Sequence, residues 1–107
     1  RIERAGAELR LCRPGRGRLD VEARTRLPAA GAARVAHQVR QDVWRALRGL
    51  RGFSPVVVVT DGPLGLEVVA GGQVDGAVPP GAAARLAAVL EAPGNRARWV
   101  RCAGGAG

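Results

Sequence analysis

The side chains in this sequence that could do chemistry are few. There is one histidine, His37, one serine, Ser54, two cysteines, Cys12 and Cys102, and no tyrosine or lysine. A nucleophilic triad needs a serine, a histidine and an acid in mutual reach. With one copy of the first two, His37 inside an expected helix and Ser54 beside Pro55, nothing corroborates such a grouping. A zinc site draws three or four ligands from Cys, His and carboxylates. Two cysteines ninety positions apart match neither a metal motif nor a redox CxxC pair. They could bridge if the first and last strands were neighbours; otherwise they are two small thiols, buried or half-buried. Among the nine acids, Asp61 is the best single candidate because it opens a glycine-rich turn, where its ordinary role is to form an Asx turn. No catalytic residue, metal ligand or cofactor-binding residue is assigned, and no enzyme activity, cofactor or small-molecule substrate is expected.

Phosphate-cradling glycine motifs are also missing. There is no GxGxxG and no GxxxxGK[ST] string. Apart from the glycine-rich C-terminal run, two GxxG strings occur, Gly49-Leu50-Arg51-Gly52 and Gly62-Pro63-Leu64-Gly65. In KH domains a GxxG loop joins two helices and clamps a nucleic-acid backbone. Here the first string falls between helix and strand and the second between two strands, so both read as turn glycines.

The constellation that remains is arginine with tryptophan. At 100° per residue, Trp44 points away from the apolar stripe of its helix, and His37, Arg40, Arg48 and Arg51 lie beside it. Exposed Trp among guanidinium groups is a composition enriched at interface hot spots. It also suits base stacking combined with phosphate contact. Two blander readings stand beside these. The chain's own segments could cover Trp44, or it could stack with Arg as a surface cation–π pair. Arg13 and Arg16, in a Pro-Gly loop, extend the basic surface. The candidate partner-binding residues are therefore His37, Arg40, Trp44, Arg48, Arg51, Arg13 and Arg16.

Charge distribution points to the same half of the chain. The net charge is +8 over 107 residues. Residues 1–51 hold 13 Arg against Glu3, Glu8, Asp20, Glu22 and Asp42, whereas residues 52–107 hold four Arg against four acids. A GC-rich genome accounts for Arg in place of Lys but not for this asymmetry, and clustered charge makes a local field.

The elements that must position these residues can be read from periodicity. Residues 7–12 alternate polar and apolar, and Arg13-Pro14-Gly15-Arg16-Gly17 is turn chemistry. Residues 18–27 alternate again, with Leu19, Val21, Ala23, Thr25 and Leu27 on one side and Arg18, Asp20, Glu22, Arg24 and Arg26 on the other. The two segments read as a β-hairpin with a five-residue loop, its mixed charges pairing across strands. Residues 30–50 carry an apolar stripe of Val35, Val39, Val43, Ala46, Leu47 and Leu50 at helical spacing. Val56–Thr60 is a β-branched run suited to a central strand. Leu66–Val69 resumes strand character, Gly71-Gly72 interrupts it, and Gln73–Val78 reads as its continuation or as a further short strand. Pro79-Pro80-Gly81 opens a second helix over 81–91, and Arg96–Cys102 reads as a last strand.

The expectation is one α+β domain over 1–102, with a flexible glycine-rich tail at 103–107. Its sheet is mostly antiparallel, with two helices on one face in the order ββαββαβ. With 47% hydrophobic residues, a real core is expected. The longest apolar run, Val56–Val59, is far too short to span a bilayer, so direct membrane insertion of this segment is not expected. No signal-peptide pattern is visible, and the start at Arg1 without a methionine points to a fragment or a processed product.

Residues 19–59 resemble one family. The strand LDVEARTRLP, the helix ARVAHQVRQDVWRALRGLRGF and the valine strand PVVVV follow the strand–helix–strand ending of the alkaline-shock (envelope stress) family and its membrane-anchored relatives. The match rests on hydrophobic spacing and one glycine. The family's leading helix is not evident before residue 7, and everything after Asp61 is additional. The resemblance implies a non-enzymatic scaffold or interaction module at a bacterial membrane, with the cytoplasmic face as the favoured location, and it carries over no site residue. The leading expectation is thus a protein-interaction or assembly module that binds another protein or itself through the Arg/Trp helix flank. The alternative is an RNA- or DNA-binding domain that contacts phosphates through the Arg-rich first half.

Overall fold

The computed structural model describes residues 1–104. Among them are five strands, β1 (Ile2–Ala5), β2 (Glu8–Leu11), β3 (Val21–Leu27), β4 (Ser54–Gly62) and β5 (Gly65–Gln73), and three helices, α1 (Ala32–Leu47), α2 (Ala82–Glu91) and α3 (Pro93–Cys102). The strands form one fully antiparallel sheet in the order β1-β2-β4-β5-β3. The fold is α+β, as its periodicities indicate. Its element order is βββαββαα, and a third helix stands where a strand was expected.

The valine run explains the sheet order. Val56, Val57 and Val59 are fully buried and Val58 nearly so. Successive residues of a strand point to opposite faces, so β4 must be covered on both. It takes a central position, between β2 and β5. The β4–β5 hairpin, nine residues a side and closed by Pro63-Leu64, therefore sits between β2 and β3. This corrects the expected hairpin of residues 7–12 with 18–27. β2 pairs instead with β1, through a tight Gly6-Ala7 turn in which Gly6 adopts φ +59, and with β4. β3 pairs with β5 at the opposite edge.

The loop joining β2 to β3 must then cross β4 and β5. It lies against the face away from the helices, where Cys12 and Leu19 pack on Val56, Val58 and Val69. The Arg10 guanidinium donates to the Gly17 carbonyl, the Arg18 amide to the Gln73 side-chain oxygen and the Asp20 amide to the Gly72 carbonyl. Asp20 accepts in turn from the Val74 amide and the Arg18 side chain.

All three helices pack on the other face in one core. Val35, Val39, Val43 and Leu47 of α1 join Leu86 and Leu90 of α2, Trp99 of α3, and Leu9, Leu11, Val57, Val59, Leu66, Val68 and Ala70 of the sheet. The α1 stripe read from the sequence is this buried face.

Two further expectations are corrected. Gly71-Gly72 does not interrupt β5, which is paired continuously to Gln73. The glycines are needed because a Cβ at Gly71 would overlap the Val21 carbonyl, and one at Gly72 the Ser54 carbonyl and the Phe53 ring. Residues 96–102 are helical, not a strand. Pro93 opens α3 at its first turn, where its missing N–H costs nothing. Arg96, Trp99, Val100 and Ala103 then recur at helical spacing, with Trp99 and Ala103 buried. Cys12 is buried and Cys102 exposed, and they do not bridge. Ala103, assigned to the tail from sequence, packs in the core and accepts the Gly31 amide through its carbonyl. The rest of that expected tail, residues 105–107, lies outside the described residues.

Candidate functional site

α1 presents three surfaces. Its apolar stripe enters the core. Asp42 turns toward α3, where its carboxylate accepts from the Trp99 indole at 2.7 Å and pairs with Arg98 and Arg45. The third surface carries His37, Arg40, Trp44 and Arg48. These residues are spaced by three and four, so they form one row along the helix, and Arg51 follows in the turn beyond it.

Trp44 is 42% exposed. It is held rather than free: its ring stacks on Phe53, with centroids 6.3 Å apart and planes inclined by 14°. Phe53 is itself nearly buried and part of the main core. The chain therefore covers Trp44 in part and leaves the remainder to solvent. The expectation that the chain's own segments cover Trp44 is met in part, through Phe53.

Beside this stack is a cleft of about 240 Å³ lined by Arg13, Arg40, Trp44, Phe53, Ser54 and Pro55. β2 pairs with β4 only as far as Leu11 opposite Val57. Past that point the chain leaves the sheet, and Arg13 lines the cleft beside the start of β4. Arg16, three residues on, bonds the Gly52 carbonyl and pairs with Asp75 at 3.6 Å. It ties the loop to the turn after α1 and so fixes where Arg13 stands.

The structure thus brings Arg13, Arg40 and Trp44 together at one cleft. His37, Arg48 and Arg51 are exposed and continue the row on α1 and its following turn. Arg16 is drawn into the scaffold. Among the described residues, Arg13, Arg40, Arg48 and Arg51 form no ion pair, whereas Arg16, Arg18, Arg24, Arg26, Arg45, Arg96 and Arg98 each have a carboxylate partner. No carboxylate lines the cleft. The sheet face of β3 is locally neutralised by Glu22–Arg24 and Arg26–Glu67 pairs. The α1 flank, in contrast, carries part of the charge left uncompensated among the described residues, the rest lying on Arg1, Arg4, Arg10, Arg34, Arg85 and Arg101.

Phe53 and Pro55 were missed in the sequence reading. Phe53 is the only phenylalanine and follows the helix-ending glycines, but its contact with Trp44 depends on how β4 enters the sheet.

The other candidates do not form sites. The Ser54 hydroxyl is buried without a hydrogen-bond partner, so it is not paired with His37. Strand alternation sends it to the opposite face from Phe53 and Pro55. Asp61 lies exposed near the end of β4, its amide bonded to the Ala7 carbonyl. Both GxxG strings lie in turns. No group of three or more His, Cys, Asp or Glu that could hold a metal occurs among the described residues, and no helix among them is long and apolar enough to cross a membrane. A larger and more open cleft of about 580 Å³ lies between Leu27-Pro28 and α3. Its Arg96 is committed to Thr25 and to the Leu90 and Arg26 carbonyls.

Fold and site together define a two-layer α+β domain with a basic, aromatic helix flank. Comparison with protein-family models, curated proteins and solved structures gives no match to this chain.

Proposed function

We propose that this domain is a non-enzymatic interaction module that engages its partner through Trp44, Arg40 and Arg13, with His37, Arg48 and Arg51 extending the contact along α1. One observation carries this reading: an exposed Trp stacks on Phe53 at a cleft lined by guanidinium groups and by no carboxylate. Arg and Trp are the side chains most often responsible for binding energy at interfaces. A ring already fixed in place loses little entropy when it is covered. Arg13 is likewise positioned by the anchored loop. The likeness of the β3–α1–β4 segment to the strand–helix–strand of the alkaline-shock family supports a scaffold role at the cytoplasmic face of a membrane.

The test compares partners captured by the wild-type chain with those captured by Trp44→Ala and Arg40→Glu. Both variants should keep a cooperative unfolding transition close to that of wild type, since neither side chain fills the core, and both should lose the partner. Equal recovery by all three proteins would show that the α1 flank is not the contact surface.

A second reading, contact with nucleic-acid phosphates, is favoured by the lack of any carboxylate in the cleft lining.

A further inference from the structure

We infer that the occupant of this cleft is a single-stranded nucleic acid, with one base on the open side of Trp44 and the adjoining phosphates on Arg13 and Arg40. The inference rests on the α1 flank being the contact surface and names the chemistry of what it contacts.

Three observations favour this partner over an acidic protein. First, the lining pairs flat aromatic surface with charge. A nucleotide offers the matching pair, a π-face and an anionic oxygen, within one unit. Stacking is tolerant of sequence because every base has a π-face. The Trp44–Phe53 stack leaves Trp44 42% exposed, with its orientation fixed from the core side.

Second, the basic groups continue past the cleft. Arg48 lies one turn beyond Trp44 and Arg51 follows, both exposed and without ion pairs among the described residues. Together with Arg13 and Arg40 they make a track rather than a point. A track of guanidinium groups suits a polymer that carries one charge per residue.

Third, the apolar patch that a protein interface needs at its centre is missing around Trp44. The other exposed large hydrophobics are Leu64, in the β4–β5 turn, and Val78, in the segment before α2. Neither lines the cleft. A duplex is disfavoured for a different reason, since its bases are already stacked on each other and present no free face to Trp44.

The experiment titrates the full chain with an eight-nucleotide oligo(dT), the same length of duplex DNA, polyglutamate and inorganic phosphate, and reads tryptophan emission. Trp99 is fully buried, so a change on binding reports Trp44. Oligo(dT) is expected to quench the emission. Four neutralised phosphates give a slope of log affinity against log salt of about −3 for a single strand. Arg13→Ala and Arg40→Ala should each make that slope shallower by about 0.7 without moving the thermal midpoint. Trp44→Ala should weaken binding roughly 5- to 150-fold, the range for one stacked base.

The inference is overturned if oligo(dT) does not bind folded protein at low salt, if the duplex or polyglutamate binds as tightly, or if phosphate alone binds as well as the oligonucleotide. Should polyglutamate or a protein partner bind in a Trp44-dependent manner while oligo(dT) does not, the contact surface stands and the partner class is wrong. If no binding depends on Trp44, both the surface and the partner fall.

Discussion

The Asp42 carboxylate accepts the indole N–H of Trp99 at 2.7 Å, and this contact joins α1 to α3. Trp99 is the largest fully buried side chain in the described structure. A buried indole donor needs an acceptor, and α1 supplies it from a side chain only 11% exposed. The same carboxylate takes Arg98 and Arg45. Removing it would leave the indole N–H unpaired and two guanidinium groups, Arg98 and Arg45, without their carboxylate partner. Asp42→Ala is therefore expected to cost about 1–3 kcal/mol, read from urea denaturation. Asp42→Asn keeps an acceptor oxygen and should recover part of the loss. In Trp99→Phe, which removes the donor, the Asp42→Ala penalty should shrink. An unchanged penalty would show that the indole bond contributes nothing.

Glycines 71 and 49 make opposite predictions. β5 is paired on both sides at Gly71, with Val56 on one neighbour and Glu22 on the other. A methyl group there would overlap the Val21 carbonyl and the Glu22 backbone. Backbone cannot step aside as a side chain can, so Gly71→Ala must part β3 from β5. It is expected to cost more than about 3 kcal/mol, in the range set by severe steric defects. At Gly49 a Cβ would meet nothing, and its φ is not positive. Gly49→Ala should be neutral or stabilise by about 0.4–1 kcal/mol, by restricting the unfolded chain. Thermal unfolding of the two variants checks both signs at once.

Where the sequence was readable, short-range periodicity carried the information. The α1 stripe, Val35-Val39-Val43-Leu47, repeats at 3.6 and is the buried face. The run at 56–59 announced a central strand. What could not be read was non-local. Residues 7–12 and 18–27 look like a hairpin because a Pro-Gly turn separates them, yet the need to bury both faces of β4 outweighs that local signal and sends them to different neighbours. Residues 96–99 alternate polar and apolar, which locally resembles a strand, but the alternation breaks at Trp99-Val100. Pro93 opens a helix, and Trp99 and Ala103 bury at helical spacing with the Trp99 indole on Asp42. The candidate site divides the same way. His37, Arg40, Trp44 and Arg48 were legible as one helical row. Arg13 meets Arg40 across twenty-seven residues of chain, and Phe53 lies under Trp44, only because β2 ends where β4 begins.

The crossing loop should be sensitive to acid. The Asp20 carboxyl is held below its ordinary value of 3.8, first by its hydrogen bond from Arg18 and then by the Val74 amide. The native state therefore binds this proton less readily than the unfolded chain does. The resulting stabilisation is present above the unfolded value and is lost as pH falls through the lower native one. The urea midpoint of the wild-type protein should decline below about pH 4. Asp20→Asn should be less stable at neutral pH and show a shallower decline in that window. Equal slopes for the two proteins would rule out Asp20 as a contributor.

Ser54 poses the reverse case of Asp42. Its residue is 2% exposed and its hydroxyl has no hydrogen-bond partner. It stands on the β4 face that Val56 and Val58 share with Cys12, a surroundings with little to offer a donor. An unpaired buried hydroxyl forfeits its hydrogen bonds to water and gains none in return. Removing one oxygen atom leaves only a small void, and that cost is below the desolvation cost it relieves. Ser54→Ala is therefore expected to be neutral or to stabilise the domain by up to about 1 kcal/mol, measured as a rise in the urea midpoint at constant slope. Ser54 lines the Trp44 cleft, but its hydroxyl is buried and unpaired, so binding by the α1 flank should change little in this variant. A loss of stability above about 1 kcal/mol would show that the hydroxyl is paired in solution. A loss of binding without a loss of stability would show that the hydroxyl takes part in the contact.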